Sequence, residues 1–276
     1  MTSSSLVGEL RKLPAFVRRD FLTAWSYRTA FFGDVINLST QIIMFYFVGL
    51  MVDPDVIPRF GGREVGYIGF VSVGIALGAF LQLGMGQVST AIRREQLMGT
   101  LESLFMTPTS TTTLQVGLAV YDLVYVPVRT ALFLTAVAMI FNLQIVPSGI
   151  LPATVVLLLF IPFVWGIGMI SGAAVLTFRR GGSMLSVVGF GLNITSGAYF
   201  PLDLFPGWVQ RLAEVNPVAI AFSATRETLL GGAGWDSVAP HVAPLALFAI
   251  GALTLGAIAT RLALSRERRQ GTLGLY

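Results

Sequence analysis

"RREQLMGTLESLFMTPTS", residues 93–110, lies between two of the longest apolar runs of the chain. It is too polar to cross a bilayer and too regular in pattern for an idle loop. On a helical wheel Glu95, Gly99 and Glu102 share one face, and Leu97, Leu101 and Leu104 share the opposite one. A helix over 93–108 would rest its leucines on membrane helices and present carboxylates outward. Pro108 ends it, because proline lacks the N–H and biases Thr107 away from helix. A helical Gly99 costs about 1 kcal/mol relative to Ala, which points to something packing closely there. Spacing alone equally allows a solvated amphipathic connector.

The membrane premise rests on composition. The 276 residues are 54% hydrophobic and 12% charged, about half the charged fraction usual in a soluble domain. Mean hydropathy is +0.77. The 30 Gly and 20 Phe fit a helical membrane protein. The absence of Cys excludes disulfides and thiolate metal sites, and the single histidine, His241, excludes a multi-His site. The first apolar run begins near Phe31, behind a polar and basic segment, so no signal peptide is expected.

Six segments have the roughly 20 residues needed to span: 31–51, 65–90, 111–141, 150–177, 183–200 and 240–262. Basic residues set the orientation. With both termini inside, Arg11, Lys12, Arg18, Arg19, Arg28, Arg93, Arg94, Arg179, Arg180, Arg261, Arg266, Arg268 and Arg269 are inside. Only Arg59, Arg63, Arg211 and Arg226 are outside, and Arg129 alone lies within a span. The sequence therefore predicts an all-α membrane protein with six transmembrane helices and cytoplasmic termini. The net charge of +4 reflects topology, and no nucleic-acid partner is expected, because the basic residues are divided among short segments at the membrane edge.

Residues 8–28 alternate apolar and basic positions and end in Trp25 and Tyr27, a pattern for a helix lying along the inner interface within 1–30. A solvated basic tail is the alternative. The 52–64 loop reads as a plain connector rich in Pro, Asp and Gly. Residues 196–232 are too apolar for a solvated loop and are broken by Pro201, Pro206 and Pro217. Two short helices are expected there, near 206–214 and 217–230, the second capped by Asn216 with Pro217 in its first turn. Within 199–230 they would dip into the outer leaflet under protein cover, unless the segment is an ordinary interfacial loop anchored by aromatics.

The wording of the opening stretch carries a resemblance. Arg94, Glu95, Gly99, Thr100, Leu101, Glu102, Leu104, Thr107 and Pro108, as R-E-x-x-x-G-T-L-E-x-L-x-x-T-P, resemble the coupling-helix segment of ABC-2 type transporter permeases. The segment falls where that family has it, between spans two and three. "SGAYFPLDLFPGWVQRLAEVNP" resembles the family's segment after the fifth span, so the likeness covers essentially all of 1–276 as one transmembrane domain. It implies an exporter of the type V fold, with a cytoplasmic coupling helix over 93–108 and re-entrant helices between spans five and six. Glu95, Gly99, Thr100, Leu101, Glu102, Thr107 and Pro108 would then meet a separate ATP-binding cassette subunit.

This chain has no G-x-x-x-x-G-K-[ST] motif and only one lysine, Lys12. No cofactor is expected on it, and ATP and magnesium would sit on the partner. The resemblance further implies a second permease chain, as homodimer or heterodimer, and multi-pass residence among the lipids of a bacterial inner membrane. Ionisable or polar groups within spans are costly and mark candidate paths: Asp34 and Asn37 on one face of the first span, Asp122 and Arg129 on one face of the third. A structural Asp122–Arg129 pair is the alternative. Export of a hydrophobic or amphipathic, drug-like molecule is the leading expectation, with a lipid-linked glycan as the other cargo class. An ion-coupled secondary transporter or a lipid-modifying membrane enzyme would leave residues 93–108 without a task.

Overall fold

The computed structural model describes residues 14, 17–18, 21–22, 28–99, 111–178 and 181–270. Among these residues eight α-helices follow in order: α1 (Arg28–Gly49), α2 (Tyr67–Leu97), α3 (Thr111–Phe141), α4 (Pro147–Phe178), α5 (Gly181–Ile194), α6 (Gly207–Glu214), α7 (Pro217–Leu229) and α8 (Trp235–Gln270). Among the described residues there is no strand, only an isolated Phe60–Arg63 bridge. The described residues of the N-terminal segment, Pro14, Val17, Arg18, Phe21 and Leu22, are helical.

Apolar side chains run around most of the long helices, so their backbones satisfy themselves internally and their surfaces suit lipid as well as protein. Among the described residues three helices are long and apolar enough to cross a membrane: Tyr67–Glu95, Pro147–Thr177 and Trp235–Arg266. Described apolar stretches at Ile36–Gly49 and Tyr125–Phe141 are shorter. In α2, 72% of the apolar window is buried, against 22% in α8, which makes α2 the central member.

α2, α4 and α8 run parallel and meet along small residues. A Cβ on Gly168 would stand 2.6 Å from Gly84 O, and one on Gly166 would stand 2.3 Å from the Ala252 carbonyl carbon. Such contacts are possible only without side chains, and close backbone approach of this kind holds membrane helices together. Thr260 Oγ1 donates to Gly256 O (2.9 Å). Where α2, α4 and α8 near their C-terminal ends, Val88, Ile92, Ala173, Leu176, Ala263 and Leu264 form a second core. The main core centres on Phe160, which lies 5.7 Å from Phe80 and 6.3 Å, edge to face, from Phe222 of α7.

Four expectations need correction. The fifth apolar run, expected over 183–200, is helical only to Ile194. Its 14 residues rise about 21 Å, short of the roughly 30 Å hydrocarbon core. Hydropathy continues through 198–200, but Gly197 turns the chain with φ 68.

The 52–64 loop is no plain connector. Asp53 caps a 3-10 turn at Pro54–Val56, Arg59 pairs with Glu64 at 2.7 Å, and Phe60 is buried with its ring 6.4 Å from Phe70.

The predicted helix over 93–108 does not run continuously. Residues 93–97 are the last turns of α2, and Gly99 at φ 68 terminates it, with Met98 N donating to Arg94 O (3.0 Å). Glu95 and Gly99 therefore do not lie on one continuous helical face. Gly99 is selected by its left-handed backbone, and among the described residues no atom beyond its chain neighbours lies within 4 Å of where its Cβ would be. Nor does Leu97 rest on the bundle, being 69% exposed. Thr100, Leu101, Glu102, Leu104, Thr107 and Pro108 lie outside the described residues.

The fourth correction concerns Arg226, read from the sequence as an outer-loop charge. It is 3% exposed.

Candidate functional site

Residues 195–232 fold back onto the bundle as an inserted pair of short helices. α6 is amphipathic, burying Val209 and Ala213 and exposing Trp208. α7 starts as its sequence predicts. Asn216 Oδ1 accepts from Val218 N (2.9 Å) and Pro217 occupies the first turn. The same side chain donates to Leu192 O (3.0 Å) and Thr195 Oγ1 (2.9 Å), tying the start of α7 to the end of α5.

Almost all of α7 is buried. Its threonines satisfy themselves within the helix: Thr225 Oγ1 donates to Ala221 O (2.7 Å) and Thr228 Oγ1 to Ala224 O (2.8 Å). The far end seats on backbone. Val146 N donates to Leu229 O (2.9 Å), and a Cβ on Gly149 would stand 1.7 Å from Thr228 O. Protein covers α7 on nearly every side, the condition under which short helices are tolerated at membrane depth.

Arg226 is the charged centre of this insertion. Nε donates to Phe70 O of α2 (3.1 Å) and Nη2 to Ala198 O (2.9 Å). Its guanidinium carbon lies 3.7 Å from the centroid of the Phe70 ring, a cation–π contact, and 5.9 Å from that of Phe222. Gly74, one turn along α2 from Phe70, is part of the same junction. A Cβ there would stand 1.8 Å from Ala198 O and 2.8 Å from Arg226 Nη2. The sequence signal was Arg226's position on the α7 wheel, four residues after Phe222 and seven after Ala219, on an apolar face.

At its opposite end, α2 emerges from the bundle. Arg93 and Arg94 are exposed, Glu95 is half-buried, and Leu97, Met98 and Gly99 are exposed. This stub begins the motif quoted from the sequence. One helix of 31 residues, about 46 Å long, thus joins the stub to the Arg226 junction.

The family profile described as ABC-2 type transporter matches residues 11–230. This chain belongs to the ABC-2 type transporter family. It is the membrane permease subunit of such a transporter, a multi-pass helical protein of a transport-subunit family. ABC-2 permeases normally work with an ATP-binding subunit. No curated protein gives a significant match to the chain.

Of the candidate path residues of this ABC-2 permease, Asn37 and Arg129 have described side chains. Asn37 is exposed on α1 and accepts from Gln41 Nε2 of the same helix (2.5 Å). Arg129 is partly buried at a small cleft where α1, α2 and α3 meet, beside Leu38, Phe80 and Thr130. The backbones of Asp34 and Asp122 are helical, and their side chains lie outside what the structure describes. A larger cleft of about 500 Å³ opens between the C-terminal ends of α1 and α3 and the start of α2, with Tyr46, Tyr67 and Phe141 among its walls.

Proposed function

We propose that this ABC-2 permease is the spanning subunit of an ATP-driven exporter that moves a hydrophobic or amphipathic small molecule out of the cytoplasm or inner leaflet. In this reading six apolar segments cross a bacterial inner membrane with both termini cytoplasmic, the fifth as α5 together with the 195–200 turn that follows it. A second permease chain and two ATP-binding subunits complete the assembly, with ATP and magnesium bound on the latter. The observation that carries the proposal is the continuity of α2. Its exposed end at 93–99 opens the coupling motif, and its other end holds the re-entrant helices.

A rigid rod converts movement at one end into tilt at the other, the domain rearrangement common in nucleotide-driven machines. Glu95, Gly99, Thr100, Leu101, Glu102, Thr107 and Pro108 form the face that docks the ATP-binding subunit. Gly99 stops α2, so the residues that follow can leave the rod's axis and enter a cleft on the partner. Closure of the ATP-binding subunits on ATP pushes this segment, α2 tilts, and a path opens outward between the two permeases. The polar groups in the spans, Asp34, Asn37, Asp122 and Arg129, are the candidates to line it.

Glu102→Ala tests the assignment. Truncating one carboxylate of a charge pair at a buried interface costs about 2–5 kcal/mol. The variant should reach the membrane at parental level but lose co-purification with the ATP-binding subunit or cargo-stimulated hydrolysis. Parental assembly, hydrolysis and transport would reduce 93–108 to a connector and remove the coupling role.

A further inference from the structure

Arg226 is a cation sealed inside the protein, and among the described residues no carboxylate lies within ion-pair distance of it. A buried charge survives only when other groups replace its hydration. Here two backbone carbonyls and an aromatic face do so, and they belong to two different elements. The Phe70 carbonyl and ring are on the second turn of α2, and the Ala198 carbonyl is in the turn that leads from α5 toward α6. A guanidinium is a planar fork with fixed donor directions, so its two bonds hold three segments, α2, α7 and the 195–200 turn, in one fixed arrangement. A merely space-filling residue at 226 would seat α7 without tying it to either neighbour. The absence of a Cβ at Gly74 lets Ala198 O come close enough to complete the clamp.

We propose that Arg226 is the positioning residue through which α2 carries the re-entrant helix α7, so that displacement of α2 from its 93–99 end moves the insertion at its other end. This rests on the reading that an ATP-binding subunit drives α2 at that end. The other contacts of α7 seat it on the start of α4, through Leu229 with Val146, just ahead of that helix, and the approach of Thr228 to Gly149. Arg226 determines which neighbour α7 follows when α2 and α4 move apart. With the clamp intact α7 goes with α2 and unseats from Gly149. Without it α7 stays on α4.

The chain has no native cysteine, so Thr228→Cys supplies a single probe at a fully buried position on the α7–α4 seat. The assay uses membranes containing the full permease with its co-expressed ATP-binding subunit. Labelling by an impermeant maleimide from the outer face is compared without nucleotide and with ATP plus vanadate. With Arg226 present, the cysteine should be protected at rest and labelled faster in the trapped state. In Arg226→Met the nucleotide-dependent increase should be lost, while co-purification and ATP hydrolysis stay near parental. Arg226→Lys keeps the charge without the fork and should lose most of the increase.

An increase as large as the parental one in either variant overturns the proposal. If Arg226→Met does not reach the membrane, Arg226→Lys decides alone. If the parental probe never responds although the ATP-binding subunit co-purifies and Glu102→Ala uncouples it, the Arg226 proposal fails and the exporter reading stands. If no ATP-binding subunit associates with the parental chain, the exporter reading fails and takes this proposal with it.

Discussion

Two glycines of the same helix, Gly74 and Gly86, should respond to alanine in opposite directions. Alanine in place of a helical glycine stabilises by up to about 1 kcal/mol through backbone entropy. At Gly86 nothing among the described residues lies within 4 Å of the added methyl, so this gain should be realised. At Gly74 the methyl would stand 1.8 Å from Ala198 O, whereas ordinary contact begins at 3.4 Å, so that carbonyl must retreat by about 1.6 Å. The obstacle is backbone in a turn fixed by Gly197 at φ 68, and it cannot rotate away as a side chain would.

Retreat on that scale breaks the 2.9 Å bond from Arg226 Nη2. Hydrogen bonds to charged groups are worth about 1.5–3 kcal/mol, and forcing a methyl into a packed junction costs about 1–3 kcal/mol. Offset by the propensity gain, Gly74→Ala should destabilise by roughly 2–5 kcal/mol. For soluble domains of 150–250 residues, each kcal/mol shifts Tm by about 2–4 °C. Thermal denaturation in detergent, followed by size exclusion, should therefore place the two variants on opposite sides of the parental protein, roughly 6–24 °C apart. Equal melting temperatures for Gly74→Ala and Gly86→Ala would refute the close approach of Ala198 to α2.

Further outcomes follow from the same contacts. Asn216→Ala removes the α7 cap and both bonds to the end of α5, and should cost about 2 kcal/mol, read as a fall in Tm beyond that of a surface Asn→Ala change. Gly99→Asn should behave as parental, because Asn tolerates left-handed backbone. Gly99→Val should cost about 1–2 kcal/mol of local strain and weaken association with the ATP-binding subunit, measured by co-purification. Equal co-purification of the two would show that the φ 68 turn is immaterial to docking. Single cysteines at Ser148 and Ser237 should react with an impermeant reagent from outside, and those at Ser3 and Thr272 should not. The reverse pattern would invert the orientation.

The sequence made the helices legible because lipid imposes one requirement on all of them, a long apolar run. It misplaced their ends where apolarity outlasts the helix. Residues 198–200 remain apolar after Gly197 has turned the chain, and only the Ser196-Gly197 pair marks the stop. The helix–helix contacts were present as composition, in the 30 glycines, but not as pairings. Nothing local says that Gly168 meets Gly84 or that Gly149 meets Thr228. α7 was the best-read element, since Asn216-Pro217 is a start signal written in two adjacent residues. The coupling stretch was read as one helix because a wheel takes helical φ for granted. Gly99 satisfies the wheel and violates that assumption.

Arg211 and Arg226 show why counting charge does not give depth. Both follow the fifth apolar run and both count as outside in the orientation argument, which remains the same whether they are wet or dry. Arg211 lies on the exposed side of an eight-residue helix whose buried positions are Val209 and Ala213. Arg226 shares the face of α7 that carries Phe222 and Ala219, so it must go where they go. Burial is then decided by the neighbours at i−4 and i−7, and the protein compensates with what lies within reach. Within reach is the carbonyl row of α2, opened by Gly74, together with the ring of Phe70. A carboxylate there would have made an ordinary internal ion pair. Backbone carbonyls instead bind Arg226 to α2, the helix whose other end opens the proposed coupling segment, so the clamp follows the position of α2.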